Sequence, residues 1–299
     1  MKDFFRTLSI RIGLVLLWLI SFLPYKLLMS FGQLLGQIMR PLVSQRRKIA
    51  RRNIELCFPD LDQNAVNDLL KKHFQALGMA FMELGMCWWW SDKRLEALLQ
   101  IDGFEHLEDA LAQGKGVILL SAHFTTLEMG GRLLGLKHKV DAVYRSHKTP
   151  YFEKFITQKR ALYSNKLIEK NNIRGMLKSL KTNASVWYAP DQNFSGKNSL
   201  IAEFFQHPAP TNVATMRLAK MTQAPVIPFV QYRRDDGKGY DLHLLPALSD
   251  FPGEGDIQDA NRINRLFEEF IKKQPSHYYW VHRRFKRLPD EFADVYADI

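Results

Sequence analysis

The run VILLSA at 117–122 ends in His123, and Glu128 follows five residues later. A histidine just past a short, wholly apolar segment sits where open α/β sheets build their sites, at the carboxyl end of a strand. An offset of five turns a straight helix by about 140°, so the two side chains would not share a helical face. They meet if His123 lies on a strand-to-helix turn and Glu128 in the first helical turns. A carboxylate bonded to one ring nitrogen then fixes the tautomer and raises the basicity of the other nitrogen, the requirement for a general base. Among nine histidines and 31 acidic residues such a spacing also arises by chance, and a buried histidine satisfied by a partner is the ordinary alternative. The chain has no Gly-x-Ser-x-Gly elbow. Cys57 and Cys87 lack metal-site or disulfide-framework spacing, so a reducing compartment and no structural zinc are expected. No metal or other cofactor is expected for the reaction.

The elements that must position this pair are readable from hydropathy. Strands are expected at 117–121, 140–145, 185–191, 224–233 and 240–248, with helices at 103–112, from about 126, and near 151–162, 173–182, 211–222 and 257–273. This alternation predicts one α/β domain with a mixed, mostly parallel sheet flanked by helices. Asp235, Asp236, Gly237 and Gly239 read as a hairpin turn that makes the last strand pair antiparallel. Residues 62–90 have helical spacing at Leu69, Leu70, Phe74, Leu77, Phe81 and Leu84, leading to Trp88, Trp89 and Trp90. Three adjacent tryptophans cannot all face one core, so at least one is expected at a membrane interface or an acyl-chain groove.

The net charge of +11 is concentrated in two places. Residues 1–58 carry ten Lys/Arg against Asp3 and Glu55, residues 145–181 carry ten against Glu153 and Glu169, and the remainder is net acidic. Such charge suits nucleic acid, an anionic membrane or an acidic protein. No helix-turn-helix, RNA-recognition or zinc-finger pattern accompanies it, which argues against nucleic acid. In the first segment an uncharged run at 12–25 is broken by Pro24 and Lys26 and resumes at 27–39, short of the roughly 20 residues of a spanning helix. A tilted or kinked span and an interfacial helix pair both fit, with a core helix as the plain alternative. No signal-peptide cleavage site comes after the apolar run. The basic cluster SQRRKIARRN at 44–53 places the rest of the chain on the cytoplasmic side. The expected division is an N-terminal membrane-anchoring segment, 1–43, and a cytoplasmic-facing catalytic domain, 44–299.

HFTTLE at 123–128 carries a His-x4-acid motif, and it is accompanied in order by NIELCFPDL (53–61), MELGMCWWWSD (82–92), VWYAPDQNF (186–194), APVIPFV (224–230) and YYWVHRRFKRLPD (278–290). Together these resemble the late acyltransferases of lipid A biosynthesis, the lauroyl- and myristoyl-type enzymes. One departure falls at 193–196, where Asn-Phe-Ser-Gly replaces an Asp-Tyr-Gly type sequence. The resemblance implies transfer of an acyl chain from an acyl carrier protein thioester to a hydroxyl of a lipid A precursor at the bacterial inner membrane. His123 would be the general base and Glu128 its orienting carboxylate, with donor and acceptor reacting directly. Arg160 becomes a candidate oxyanion or phosphate partner, as against a solvated surface charge. Asp191 and Gln192, which come after the strand at 186–190, become candidate substrate contacts rather than turn caps, joined by Arg145 and Asn165. His282, Arg283 and Arg284 could bind phosphate or form a surface basic cluster. The first cationic segment would meet anionic lipids of the inner membrane, and the second the acidic carrier protein or the acceptor's phosphates. An acyl-CoA-dependent lysophospholipid acyltransferase, a nucleic-acid-binding protein and a non-catalytic membrane scaffold are the competing readings.

Overall fold

The computed structural model describes residues 2–299 apart from Ser195, Lys197, Asn198 and Glu254, so part of the departing stretch 193–196 lies outside the described residues. In chain order the helices are α1 (Lys2–Ser21), α2 (Tyr25–Leu42), α3 (Ser44–Cys57), α4 (Gln63–Trp89), α5 (Asp92–Glu96), α6 (Phe104–Ala112), α7 (Leu127–Lys137), α8 (Pro150–Arg160), α9 (Ile173–Lys181), α10 (Ala214–Thr222) and α11 (Asp256–Lys273). The strands are β1 (Leu99–Asp102), β2 (Val117–Leu120), β3 (Val140–Tyr144), β4 (Ser164–Glu169), β5 (Ser185–Tyr188), β6 (Ser199–Phe204), β7 (His207–Asn212), β8 (Val226–Arg233) and β9 (Tyr240–Leu244).

Seven strands form one sheet in the order β1-β9-β8-β2-β5-β3-β4, and β6 and β7 make a separate antiparallel pair. All neighbours in the large sheet are parallel except β8 and β9, which the expected tight turn joins as an antiparallel pair. β2 is buried at all four positions and β8 at all eight, as expected for central strands covered on both faces. Alternation divides β2 between two cores: Ile118 and Leu120 pack with α9, α10 and α11, while Val117 and Leu119 pack with α6 and α7. α4 runs past both, contributing Phe74 to the first core and Met86 to the second. Its start is set by Asp62, whose carboxylate accepts from the Ala65 N–H at 2.8 Å.

No helix among the described residues is long and apolar enough to cross a membrane. The spanning form of the expected N-terminal anchor is therefore not met. Pro24 separates α1 from α2, since a proline cannot continue the hydrogen-bonded ladder of α1 and serves instead to start α2. α2 lies backbone to backbone on α4: a Cβ at Gly36 would stand 1.9 Å from the Phe74 carbonyl oxygen, and one at Gly78 would stand 2.0 Å from that of Gly32. Leu28 is buried by this packing and Leu17 of α1 lies buried against Gly85 of α4, whereas Leu27, Phe31, Leu34 and Ile38 form an exposed stripe along α2. The helix expected over 211–222 begins only at Ala214, because 207–212 pairs with β6. Pro208 and Pro210 are tolerated there, on a two-stranded ribbon where not every N–H must join a ladder.

Candidate active site

Strands β2 and β5 are parallel neighbours with Leu120 opposite Tyr188. Three residues beyond each partner stand His123 and Asp191, so sheet register alone delivers the two side chains to one place. The Ser121 N–H donates to the Tyr188 carbonyl at 2.9 Å and carries the pairing past the ends of the strands. His123 Nδ1 lies 2.6 Å from Asp191 Oδ1, and the His123 backbone N–H donates to Oδ2 at 3.0 Å. An ionised carboxylate only accepts, so Nδ1 carries the proton and Nε2 is the basic nitrogen.

Burial raises the Asp191 pKa, but the charge of His123, its two hydrogen bonds and one from Tyr278 prevail and hold the carboxyl below its ordinary value. Asp191 is fully buried, while the His123 ring remains one-third exposed at 32%. The C-terminal segment clamps this loop: the Tyr279 N–H donates to the His123 carbonyl at 2.9 Å, and the Thr125 N–H donates to that of His277 at 2.7 Å. Beneath it Arg233 donates to Thr125 Oγ1 at 3.0 Å and forms a buried pair with Glu83, Nε to Oε1 at 2.5 Å.

Glu128 occupies the first turn of α7 but does not orient His123. Its two oxygens are taken by the Arg160 fork, Nε to Oε1 at 2.9 Å and Nη2 to Oε2 at 2.6 Å, and by the Tyr163 hydroxyl. The expected histidine–glutamate bond is thus replaced by two separate pairs, His123 with Asp191 and Glu128 with Arg160. The five-residue offset accounts for this, because the start of α7 at Leu127 turns Glu128 toward α8 and away from the strand end. Burial raises the Glu128 pKa, yet the Arg160 charge and the bonds from Arg160 and Tyr163 bring it below the ordinary glutamate value.

His123 borders three cavities. The first, about 260 Å³, runs between α7, α8 and the sheet and includes Glu128, Arg145, Arg160 and Trp187. The second, about 170 Å³, is more polar, with Arg145, Lys170, Asn171, Gln192 and Asn212. The third, about 450 Å³, follows Leu77, Phe81 and Leu84 of α4 to Tyr279. Arg145, Arg160, Asp191 and Gln192 therefore gather around His123, but Asn165 does not. Its amide donates to the Lys139 carbonyl at 3.0 Å from an exposed position on edge strand β4, and it lines none of these three cavities.

Other expected contacts are structural. Arg284 is buried and donates to the Pro210 carbonyl and Thr211 Oγ1, Arg283 donates to the Ile299 carbonyl, and His282 Nε2 accepts from the Asn193 N–H. Trp88 and Trp90 are core residues, and Trp89 is half-buried, with the Lys159 ammonium 5.5 Å from its ring centre. Tyr163 and Tyr278 are the members of the site that sequence reasoning missed. Neither belongs to a charged or spaced motif; each is recruited by a carboxylate distant in the chain.

A doubly covered, mostly parallel sheet with a histidine and carboxylate at adjacent strand ends, opening on apolar and cationic cavities, defines the class as an α/β enzyme. The family is settled by likeness. The model of the bacterial lipid A biosynthesis acyltransferase family matches residues 3–287, and the chain belongs to that family of transferases. It is 36% identical to the lipid A biosynthesis lauroyltransferase of Escherichia coli K12, covering 95% of this chain and 94% of that one. It is also 36% identical to the palmitoleoyltransferase of the same organism, over 95% and 93%. A lipid A biosynthesis acyltransferase of Haemophilus influenzae is 38% identical over 90% and 87%.

Proposed function

We propose that this protein transfers a fatty acyl group from the thioester of an acyl carrier protein to a hydroxyl of a lipid A precursor, with His123 as general base and Asp191 as its orienting carboxylate. The hydroxyl proton passes to His123 Nε2 as the oxygen attacks the thioester carbon. The tetrahedral intermediate collapses, the carbon–sulfur bond breaks, and the thiolate leaves with the proton that the imidazolium returns. Asp191 stabilises the transient imidazolium and keeps Nδ1 the protonated nitrogen. Glu128, in this reading, fixes Arg160: Nε and Nη2 are spent on the fork, and Nη1 serves negative charge on the substrate. The observation that carries the reading is the His123–Asp191 pair placed where three cavities meet.

The same reading sets the protein on the cytoplasmic face of the bacterial inner membrane, the exposed stripe of α2 lying in the lipid interface. The basic run from Arg40 to Arg52 would lie against anionic headgroups, and the cationic 145–181 segment would receive the carrier protein. Purified protein given an acyl carrier protein thioester and a lipid A precursor should yield an acylated glycolipid detected by mass. His123→Ala should lower turnover by about 10²-fold or more. Near wild-type transfer by that variant would overturn the mechanism, and preferential acylation of a lysophospholipid from acyl-CoA would overturn the substrate assignment.

A further inference from the structure

Helix α7 carries three glycines, and they are small for different reasons. A Cβ at Gly130 would come within 2.5 Å of the Gln231 side chain, and one at Gly135 within 2.5 Å of the Tyr163 carbonyl oxygen. Both glycines permit close packing. At Gly131 a Cβ would meet nothing within 4 Å. Glycine within a helix destabilises it relative to alanine, so no packing contact explains its use there. What Gly131 does border is the first cavity, of about 260 Å³.

That cavity has a polar side and an apolar side. His123 stands at the carboxyl ends of the strands, and Glu128, held by Arg160 and the Tyr163 hydroxyl, forms one polar side of the cavity. Val140, Ala142 and Tyr144 alternate along β3 onto the same face, so its wall extends for roughly 13 Å at about 3.3 Å per residue. As the crossover after β2, α7 descends from the His123 end toward the start of β3. Gly131 therefore lies one helical turn, about 6 Å, below Leu127. Tyr163 and Ser164 line its other end, where Gly135 packs against the Tyr163 carbonyl.

We propose that this cavity holds the hydrocarbon tail of the acyl donor, with the thioester carbonyl at His123, and that the missing side chain at Gly131 sets the chain length accepted. The proposal rests on the acyl-transfer reading above. A single unbranched chain with its reactive group at one end matches a cavity that starts at His123 and runs along the apolar wall of Val140, Ala142 and Trp187, the carboxylate of Glu128 on its other side being already paired with Arg160. A side chain at 131 would cross the channel partway and leave room only for shorter tails.

The test uses Gly131→Ala, Gly131→Val and Gly131→Leu in the full-length protein with two readouts. The first is kcat/KM over a series of acyl carrier protein thioesters of increasing chain length. The second is the thermal stabilisation produced by free saturated fatty acids of the same lengths, which needs no turnover. Gly131→Ala should fold with an unchanged or raised Tm. Gly131→Val and Gly131→Leu should lose about tenfold or more for each methylene that no longer fits, while the shortest donors change by less than about threefold. The longest stabilising fatty acid should shorten in parallel. Equal loss at all chain lengths, or an unmoved fatty-acid cutoff, would overturn the assignment. A cutoff that moves in a protein transferring no acyl group from any thioester would sustain the cavity assignment and overturn the acyl-transfer reading instead.

Discussion

His123 Nδ1 and Asp191 Oδ1 lie 2.6 Å apart, although 68 residues separate them in the chain. The contact is a product of sheet register, because each residue is the third past a strand and the strands are parallel neighbours. Asp191 also accepts the His123 backbone N–H, so it sets loop position and tautomer together. Asparagine at 191 retains one oxygen but offers a donor amide on the other side, which favours protonation at Nε2. We expect Asp191→Asn to lower kcat by about 10²–10⁴-fold with a smaller change in KM. Steady-state acyl transfer checks this, and unaltered kcat would show that Asp191 has no part in holding the base.

Glu128 and Arg160 act as one unit in this geometry. Removing either leaves a largely desolvated, uncompensated charge beside the cavity, since both side chains are only partly exposed. Glu128→Gln and Arg160→Met should each reduce kcat/KM, and the double variant should be much less impaired than the two losses multiplied together. A double-mutant cycle should give a coupling of about 0.5–3 kcal/mol. Additive losses would mean that Glu128 acts on the reaction by a route other than Arg160.

The parts of the fold legible in the sequence are those whose local pattern and final burial agree. β2 is an uninterrupted apolar run, β8 is apolar from Val226 to Val230, and both end up buried throughout, while the turn at Asp235–Asp236–Gly237 joins β8 to β9 as expected. β1 and β4 lie at the sheet's two edges, where LQID and SNKLIE pair on one side only and keep polar residues exposed, so neither shows a strand signature. His123 stood out because its own neighbours mark a strand end. Its partner did not, since the nearer acid, Glu128, and the correct one, Asp191, differ only in which strands pair. Arg160 shows the same limit: its role depends on a fork to a residue 32 positions away.

Acid should unfold the protein in stages. Burial pushes His73 and His282 down to about 4 from an ordinary value of 6.5, and holds His277 well below that ordinary value too. Between those limits the unfolded chain binds protons that the fold refuses, so stability is complete above about pH 6.5 and falls as pH drops toward 4. Each such histidine contributes a slope of about 1.4 kcal/mol per pH unit. Asp191 and Glu128 have lowered values, so their contribution persists below the usual carboxylate range and is lost as pH falls through those values. Urea titrations from pH 7.5 to 4.5 should show this decline, and His73→Asn should reduce its slope by one proton's worth. A flat profile would mean that these histidines are protonated inside the fold.

The N-terminal helices offer a test of the proposed attachment to lipid. Leu27, Phe31, Leu34 and Ile38 recur at intervals of four, three and four, so they share one face of α2, opposite enough to the Gly32–Gly36 packing face to stay exposed. Arg40, Arg47, Lys48 and Arg51 gather at the end of this stripe around a cleft of about 370 Å³. An apolar face that ends in cations suits an interface where tails and anionic headgroups are both within reach. Burying a leucine contributes about 1.5–3 kcal/mol, so Leu34→Asp and Ile38→Asp should each weaken binding to anionic vesicles by about tenfold or more. Arg47→Glu with Lys48→Glu should weaken binding to anionic vesicles, an effect that fades as salt rises, and should leave the weaker binding to neutral vesicles nearly unchanged. Sedimentation with vesicles at two ionic strengths separates the two contributions. Wild-type binding by the aspartate variants would show that this stripe is not the surface that enters lipid.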